Sequence, residues 1–502
     1  MTTIEFRLRT IAVAVTIAVL AGCAVGPDFR TPAAPEVKTY TSTPLPRETV
    51  ASAGTGGSAQ HFVSGQDIPA QWWELFHSGQ LDTLIRQSLA GNPTLDAAQA
   101  TLREAQENLR ARTGTVYYPG VDGSFTAARQ KFTGASFGQP EAGGNTFSLF
   151  NASVNVSYVL DLFGGGRREL EALKAQVGYQ RFQLEGARLT IASSVVTTAV
   201  QESSLRAQIL ATREILAVQE KQLDLVQRQF KLGGASRSDV LVQQTMLMQT
   251  RALLPPLEKD LARTRHLLAV LAGRFPGEAA AMHEFNINEL QLPGELPVSL
   301  PSSVVKQRPD IRAAEELMHA ASAQIGVATA NLYPQITLTG SLGSESTAIE
   351  NLFTSGTSIW SLGAGLLQPI FHGGELTARR RAAIAAYDQA AAQYRQVVLQ
   401  AFQNVADVLR ALDLDAQALK AQVEAEAASR ETLEVTQKQF ELGAVRYLSL
   451  LVAVRQYQQA RINTIQAQAA RFADTAALFQ ALGGGWWNRG PEAGAVKTAK
   501  KE

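Results

Sequence analysis

One cysteine stands among the 502 residues, and it is Cys23. No disulfide can form within the chain, and no second thiol is left for a metal or a redox pair. An excess of one charge is lacking too. Lys and Arg number 46 against 45 Asp and Glu, a net charge of +1, so no global basic field exists for a nucleic acid. Aromatics make up only 7 %, which suits long helices packed through small residues more than a wide globular core. Beyond the N-terminus no apolar run reaches the roughly 18 residues of a membrane helix, so any crossing must be made by strands closed into a barrel. The six histidines, at 61, 77, 266, 283, 319 and 372, are scattered, and no H-E-x-x-H exists. Gly164-Gly165-Gly166 runs into Arg167-Arg168 rather than Gly-Lys-Ser/Thr, so it reads as a strand-to-helix turn and not a phosphate loop. No catalytic, metal or cofactor constellation emerges, and the chain is read as not an enzyme.

What is present begins at Cys23. Arg7 and Arg9 precede an apolar run from Ile11 to Leu20, and Ala21-Gly22 follow. This is the layout of a secretory signal. Leu20-Ala21-Gly22-Cys23 resembles a bacterial lipobox, in which cleavage falls before the cysteine and its thiol and new amine are acylated. Several acyl chains on one residue anchor stably where one would not. Residues 1–22 are thus read as signal peptide. Residues 23–70, rich in Pro, Thr, Ser and Gly, read as a lipidated extended tether with a flexible stretch at Gly54-Thr55-Gly56-Gly57-Ser58.

The body repeats. Gln227-Arg228-Gln229-Phe230-Lys231-Leu232-Gly233 returns as Gln437-Lys438-Gln439-Phe440-Glu441-Leu442-Gly443. Leu162-Phe163-Gly164 returns as Ile370-Phe371-His372, Asn92-Pro93 as Arg308-Pro309, Tyr118-Pro119 as Tyr333-Pro334, and Leu271-Ala272-Gly273 as Leu482-Gly483-Gly484. Five anchors in one order at a nearly constant offset define a duplication. The first structural repeat is placed at 71–275, a linker at 276–307, the second repeat at 308–485 and a tail at 486–502. Trp72-Trp73 and Trp486-Trp487 flank the repeated body and read as packing at its ends.

Each copy predicts a helix (94–115; 310–332), two strands, a very long helix after a Gly-Gly turn (167–232; 375–442), a second Gly turn, and a return helix of about 37 residues ending at Gly273 or Gly483. At 1.5 Å per residue the long helices extend about 100 Å. A heptad seam runs through Leu205, Ile209, Thr212, Leu216, Gln219, Leu223, Val226 and Phe230, and again from Phe402 through Val405, Leu409, Leu412, Ala416 and Leu419 to Val423. In the strand segments, Ser153–Tyr158, 336–342 and 360–366 alternate at period two, and 121–127 does so more weakly. That is the pattern of barrel strands, apolar outward and polar inward. Leu338, Leu342, Leu362 and Leu366 are expected on the lipid face, and Thr337, Thr339 and Ser361 on the water face. Polar connections at 129–145 and 345–357 read as outer loops. Four strands cannot close a barrel, so copies of the chain must share one: eight strands in a dimer or twelve in a trimer.

These residues resemble the outer-membrane channel lipoproteins of tripartite efflux systems, the TolC/OprM-like factors of the NodT branch. The resemblance runs from Cys23-Ala-Val-Gly-Pro-Asp-Phe through Trp72-Trp73 and Asn92-Pro-Thr-Leu-Asp-Ala-Ala. It continues through Arg308-Pro-Asp-Ile-Arg-Ala-Ala-Glu and Tyr333-Pro334 to Ala481-Leu-Gly-Gly-Gly-Trp-Trp. It implies a mixed α and β membrane protein, a homotrimer with four strands per chain in a twelve-stranded barrel continuous with a periplasmic helical tunnel. It also implies passive export of drugs or other small molecules, with a periplasmic adaptor and an inner-membrane RND- or MFS-type pump as partners. The alternative in the same architecture is the duct of a type I protein secretion system. Resemblance places a gate at the turns after the long helices, with Leu448 in the apolar ring and Asp239 and Arg446 as latch. Val452 stands where an acid is usual, a departure from the pattern.

Overall fold

The structure, a computed structural model, describes residues 24–37, 39–133, 138 and 144–490. Cys23, the signal segment and the end of the tail lie outside the described residues. In chain order the elements are β1 (His61–Ser64), α1 (Gly79–Gly91), α2 (Pro93–Tyr117), β2 (Gly120–Thr133), β3 (Gly144–Leu160), α3 (Gly165–Lys231), α4 (Arg237–Ala252) and α5 (Leu254–Leu271). Then come β4 (Glu295–Val298), α6 (Pro301–Gln307), α7 (Pro309–Ala330), β5 (Gln335–Ser346), β6 (Ser358–Leu367), α8 (Glu375–Glu441) and α9 (Tyr447–Ala481). The fold is mixed and mostly helical. Among the described residues no helix is long and apolar enough to cross a membrane.

The chain forms two compact units. One holds the segment up to Pro32, Thr101–Gln180 and Ala313–Tyr394; the other holds Ala33–Ala100, Arg181–Arg312 and the remainder from Arg395. The first is built on a four-stranded antiparallel sheet in the order β2-β3-β5-β6. Its strands are longer than the alternation predicts. β2 and β3 pair without a break from Gly120↔Ser157 to Thr133↔Gly144, so residues 129–133 and 144–145, expected in a loop, are strand. Their polarity misled the reading, because a two-stranded ribbon needs no apolar face where water wets both sides.

In the second unit the two X-Pro anchors make like contacts. Asn92 Oδ1 accepts from the Thr94 amide at 2.9 Å, capping α2, whose first residue is proline. Its amide nitrogen donates to the Leu271 carbonyl at the end of α5, at 2.9 Å. In the second copy Arg308 grips Asp310 through two bonds of 3.0 and 2.6 Å and donates to the Ala481 carbonyl at the end of α9, at 2.6 Å. Each X-Pro step thus starts one helix and satisfies the orphan carbonyls of another. Trp72 and Phe479 stack at 5.2 Å beside Phe76 and Phe472, and all four rings are buried. Trp486 donates to the Gln307 carbonyl at 2.7 Å and Trp487 to Asp67 at 2.9 Å. Both tryptophan pairs are packing residues.

Three expectations are corrected in this unit. The return helix of the first copy is two helices, broken at Leu253 ahead of Pro255-Pro256. Two prolines remove two donors and their rings crowd the preceding turn; the second copy, with none there, is unbroken. The stretch at Gly54–Ser58 is an ordered turn. Arg471, fully buried, donates to the Gly56 carbonyl (2.7 Å), the Ser58 carbonyl (3.2 Å), Thr49 Oγ1 (3.1 Å) and Gln60 Oε1 (2.8 Å). β1 pairs in parallel with β4, so ordered structure begins before Trp72. Finally, the first seam is buried from Leu205 to Gln219 and again at Val226, with Leu223 half-buried, but Phe230 is 39 % exposed, so the seam ends one heptad position early.

Candidate functional site

The sheet carries the first candidate surface. Cross-strand partners share a face and sequence neighbours do not. The register Ile336↔Leu366, Leu338↔Ala364, Gly340↔Leu362 and Leu342↔Trp360 gathers the apolar residues of β5 and β6 on one face. The pairs Val154↔Leu342, Tyr158↔Leu338 and Val121↔Val156 extend that face over β3 and β2. Leu338, Leu342, Leu362 and Leu366 therefore lie on one side, and Thr337, Thr339 and Ser361 on the other. The second face is polar and internally bonded. Ser124 and Ser153 hydroxyls are 3.0 Å apart, Asn155 donates to Ser124 at 3.0 Å, and Asn151 donates to Glu345 at 3.2 Å. The apolar face is bare in the single chain: Leu362 is 81 % exposed and Leu342 64 %.

A second site follows the proposed lipid cysteine. Residues 25–29 are strapped to the same unit. The Val25 amide donates to the Phe163 carbonyl at 3.0 Å, just past the end of β3. Arg168, buried, donates to the Val25 carbonyl (3.2 Å), Asp28 (2.7 Å) and Glu171 (2.8 Å). Burial works against its charge, and the bonds to Asp28 and Glu171 outweigh that, raising its pKa. Phe29 stacks on His319 at 4.4 Å. Gly26 has φ +100°, and a Cβ there would come within 2.5 Å of Gly326 Cα, so only glycine fits. The strap residues were visible in sequence as a motif; their partners were not.

The third candidate is the pair of turns after the long helices. Gly233 and Gly443 adopt φ of 81° and 73°. The next amides, Gly234 and Ala444, each donate back to Gln229 and Gln439 carbonyls at 2.8 Å, so both helices end in the same Schellman closure. Leu448, near the start of α9, is 66 % exposed. Asp239 is engaged within its own helix. Its carboxylate accepts from the Ser236 amide (2.9 Å) and hydroxyl (2.7 Å), and the Ser236 hydroxyl caps the Asp239 amide. Those bonds hold its pKa below the usual carboxylate value. Among the described residues Asp239 and Arg446 form no ion pair within the chain. What joins α4 to α9 instead is a contact not foreseen from sequence: Tyr447 donates to Gln243, whose amide donates to the Gln219 carbonyl of α3 at 3.0 Å. Burial, then the Asp239 charge, pushes the Tyr447 phenol up.

A half-buried carboxyl pair also escaped sequence reading, because its members lie on different helices. Asp474 of α9 and Asp415 of α8 share a hydrogen bond. Burial first, then that bond and the Asp415 charge, pushes the Asp474 pKa up to about 7. Among the described residues no group of three or more His, Cys, Asp or Glu could hold a metal ion.

Comparison with known proteins follows these surfaces. The sequence pattern of the outer membrane efflux protein family matches residues 84–274 and again 300–484. The pyoverdine export outer membrane protein OpmQ of Pseudomonas aeruginosa is 33 % identical over 424 residues, 83 % of this chain and 87 % of that protein. The probable efflux pump outer membrane protein TtgC of Pseudomonas putida is 29 % identical over 499 residues, covering 98 % and 99 %. The solved outer-membrane channel OprN superposes with a TM-score of 0.82 at 28 % identity, over 92 % of this chain and all of the other.

Proposed function

The chain belongs to the outer membrane efflux protein family, and on that premise we propose that three copies close one twelve-stranded barrel and one helical tunnel. It is an outer-membrane efflux channel. In our reading export is passive, and the chain does no chemistry of its own. An inner-membrane pump of RND or MFS type supplies energy and chooses cargo, and a periplasmic adaptor joins pump to channel. Cargo is of the kinds that relatives are named for, small molecules such as pyoverdine, toluene or antibiotics.

One observation carries the barrel. Where all four strands pair, up to Ala127 and Phe150, the sheet segregates apolar from polar residues in register, and it leaves both β2 and β6 as open edges. Exposed edges and a bare apolar face are liabilities in water. Joining β6 of one chain to β2 of the next removes the edges, and lipid covers the apolar face. The duplication supports the same reading, since the family pattern matches twice and Asn92 and Arg308 play matching roles.

Cys23 is the lipid attachment point. Ala24, next to it, packs against Gly164, and the Val25 amide bonds to Phe163 at the end of the sheet, which supports acyl chains entering the same leaflet as the strand ends. At the tip, Leu448 is the plug: exposed in one chain, it gathers with its copies about the axis. Asp239 and Arg446 meet between chains rather than within one. Native mass measurement of the detergent-extracted protein tests the assembly. Three chains are expected; a stable dimer or monomer overturns it.

A further inference from the structure

The four-stranded sheet does not end evenly. β3 pairs with β5 only as far as Phe150↔Ser346, whereas β2 and β3 continue together to Thr133↔Gly144. Residues 128–133 and 144–149 form a two-stranded ribbon that outruns its neighbours. Along this ribbon the two faces exchange character. On the face that carries Val121, Phe125 and Ala127 below, the next residues are Arg129 and Lys131. On the face that carries Ser124, Ser153 and Asn155 below, the next residues are Leu149, Phe147 and Phe132. Leu149 pairs with Ala128 and Phe147 with Gln130, and the rings of Phe132 and Phe147 stack at 5.6 Å and 20°. Phe132 is 44 % exposed.

The inversion has a physical meaning once the barrel of the preceding section is granted, and the inference rests on that reading. A guanidinium and an ammonium on the outward face belong outside the hydrocarbon, among headgroup phosphates. The ribbon therefore stands at the outer mouth. Its inward face, polar through the membrane, turns aromatic where water and cargo leave. We propose that Phe132, Phe147 and Leu149 of three chains form an apolar collar at the mouth, a constriction that sets the size cut-off there and gives apolar or aromatic cargo a last contact surface. Just below the ribbons, where all four strands of each chain pair, twelve strands about 4.8 Å apart, tilted about 40°, close at a backbone diameter of roughly 24 Å, and the three ribbons rise from that rim. Phenylalanines reaching about 6 Å inward narrow that to about 12 Å, whereas serines leave nearly the full width. An apolar ring of that kind slows water and ions without blocking an apolar solute.

The test reads the mouth directly and is indifferent to the state of the periplasmic tip. Asn155→Cys places one thiol on the polar face below the ribbon, in a chain whose sole native cysteine is Cys23; the parent chain is the labelling control. Cells bearing the full-length protein are treated from outside with maleimides carrying polyethylene glycols of increasing size. The collar is supported if Phe132→Ser with Phe147→Ser raises the labelling rate of the larger reagents several-fold and leaves the smallest unchanged. An unchanged cut-off overturns the collar while the barrel stands. If the smallest reagent fails to reach Asn155→Cys yet labels Val154→Cys, the inward face is misassigned, and the barrel reading and the collar fall together.

Discussion

Leu362→Arg and Ser361→Arg are neighbours in sequence and opposites in consequence. Ser361 pairs with Ser341 and Leu362 with Gly340, near the middle of β5, a strand of 12 residues. In the proposed barrel, at 3.3 Å per residue and a tilt near 40°, such a strand rises about 30 Å, which would put both positions near the bilayer midplane. Depth is the same for the two; only the face differs. An arginine on the lipid side at that depth costs about 2–4 kcal/mol per chain. Over the three chains of the proposed trimer that comes to about 6–12 kcal/mol, comparable to a whole domain's stability. An arginine on the water side keeps its hydration and costs almost nothing to insert. The assay is the amount of heat-modifiable oligomer in outer-membrane fractions, followed by conductance of what assembles. Leu362→Arg is expected to deplete the oligomer severely. Ser361→Arg is expected to assemble normally and conduct less. Equal depletion by both, or depletion by Ser361→Arg alone, refutes the assignment of faces and the barrel built on it.

Cys23→Ser is expected to abolish incorporation of labelled acyl chains while the barrel still inserts; label remaining on that variant contradicts lipidation at this residue. Leu448→Ala combined with Asp239→Ala is expected to raise planar-bilayer conductance and sensitise cells to large antibiotics. The single Leu448→Ala separates plug loss from loss of the Ser236–Asp239 cap, worth about 1 kcal/mol. Unchanged conductance in both places the gate elsewhere. Asp474 titrates near 7 in the folded chain and near 3.8 unfolded. The folded state therefore holds the proton through that window, and this group's stabilisation is full below pH 4 and lost as pH rises to 7. Asp474→Asn is expected to flatten the fall in thermal stability between about pH 4 and 7, and an unaltered pH profile contradicts the shared proton.

Sequence alone revealed what repeats or alternates. The long helices were read to within a few residues because their seams run for many heptads, and Leu205 to Gln219 and Val405 to Leu419 are buried faces. Strand faces were legible from period two alone. What escaped reading depends on contacts between distant segments. Arg471 looks like any charged helical residue until Gly56, Ser58 and Gln60 arrive from over 400 positions away. The Tyr447–Gln243 bond and the Asp415–Asp474 pair are of the same kind. The break at Leu253 was a local signal overlooked: Pro255-Pro256 stand in plain view within a helical pattern. The gate residues were placed by likeness to a family, and the chain itself shows Asp239 first as a cap.

The most direct measurement is single-channel recording on the purified full-length protein in planar bilayers, with its native mass determined from the same preparation. A species of three chains, each of 53.9 kDa before processing, is expected to insert in discrete conductance steps, with larger steps from Leu448→Ala. A preparation of three chains that never conducts, or a conducting species of any other number of chains, contradicts a shared twelve-stranded channel.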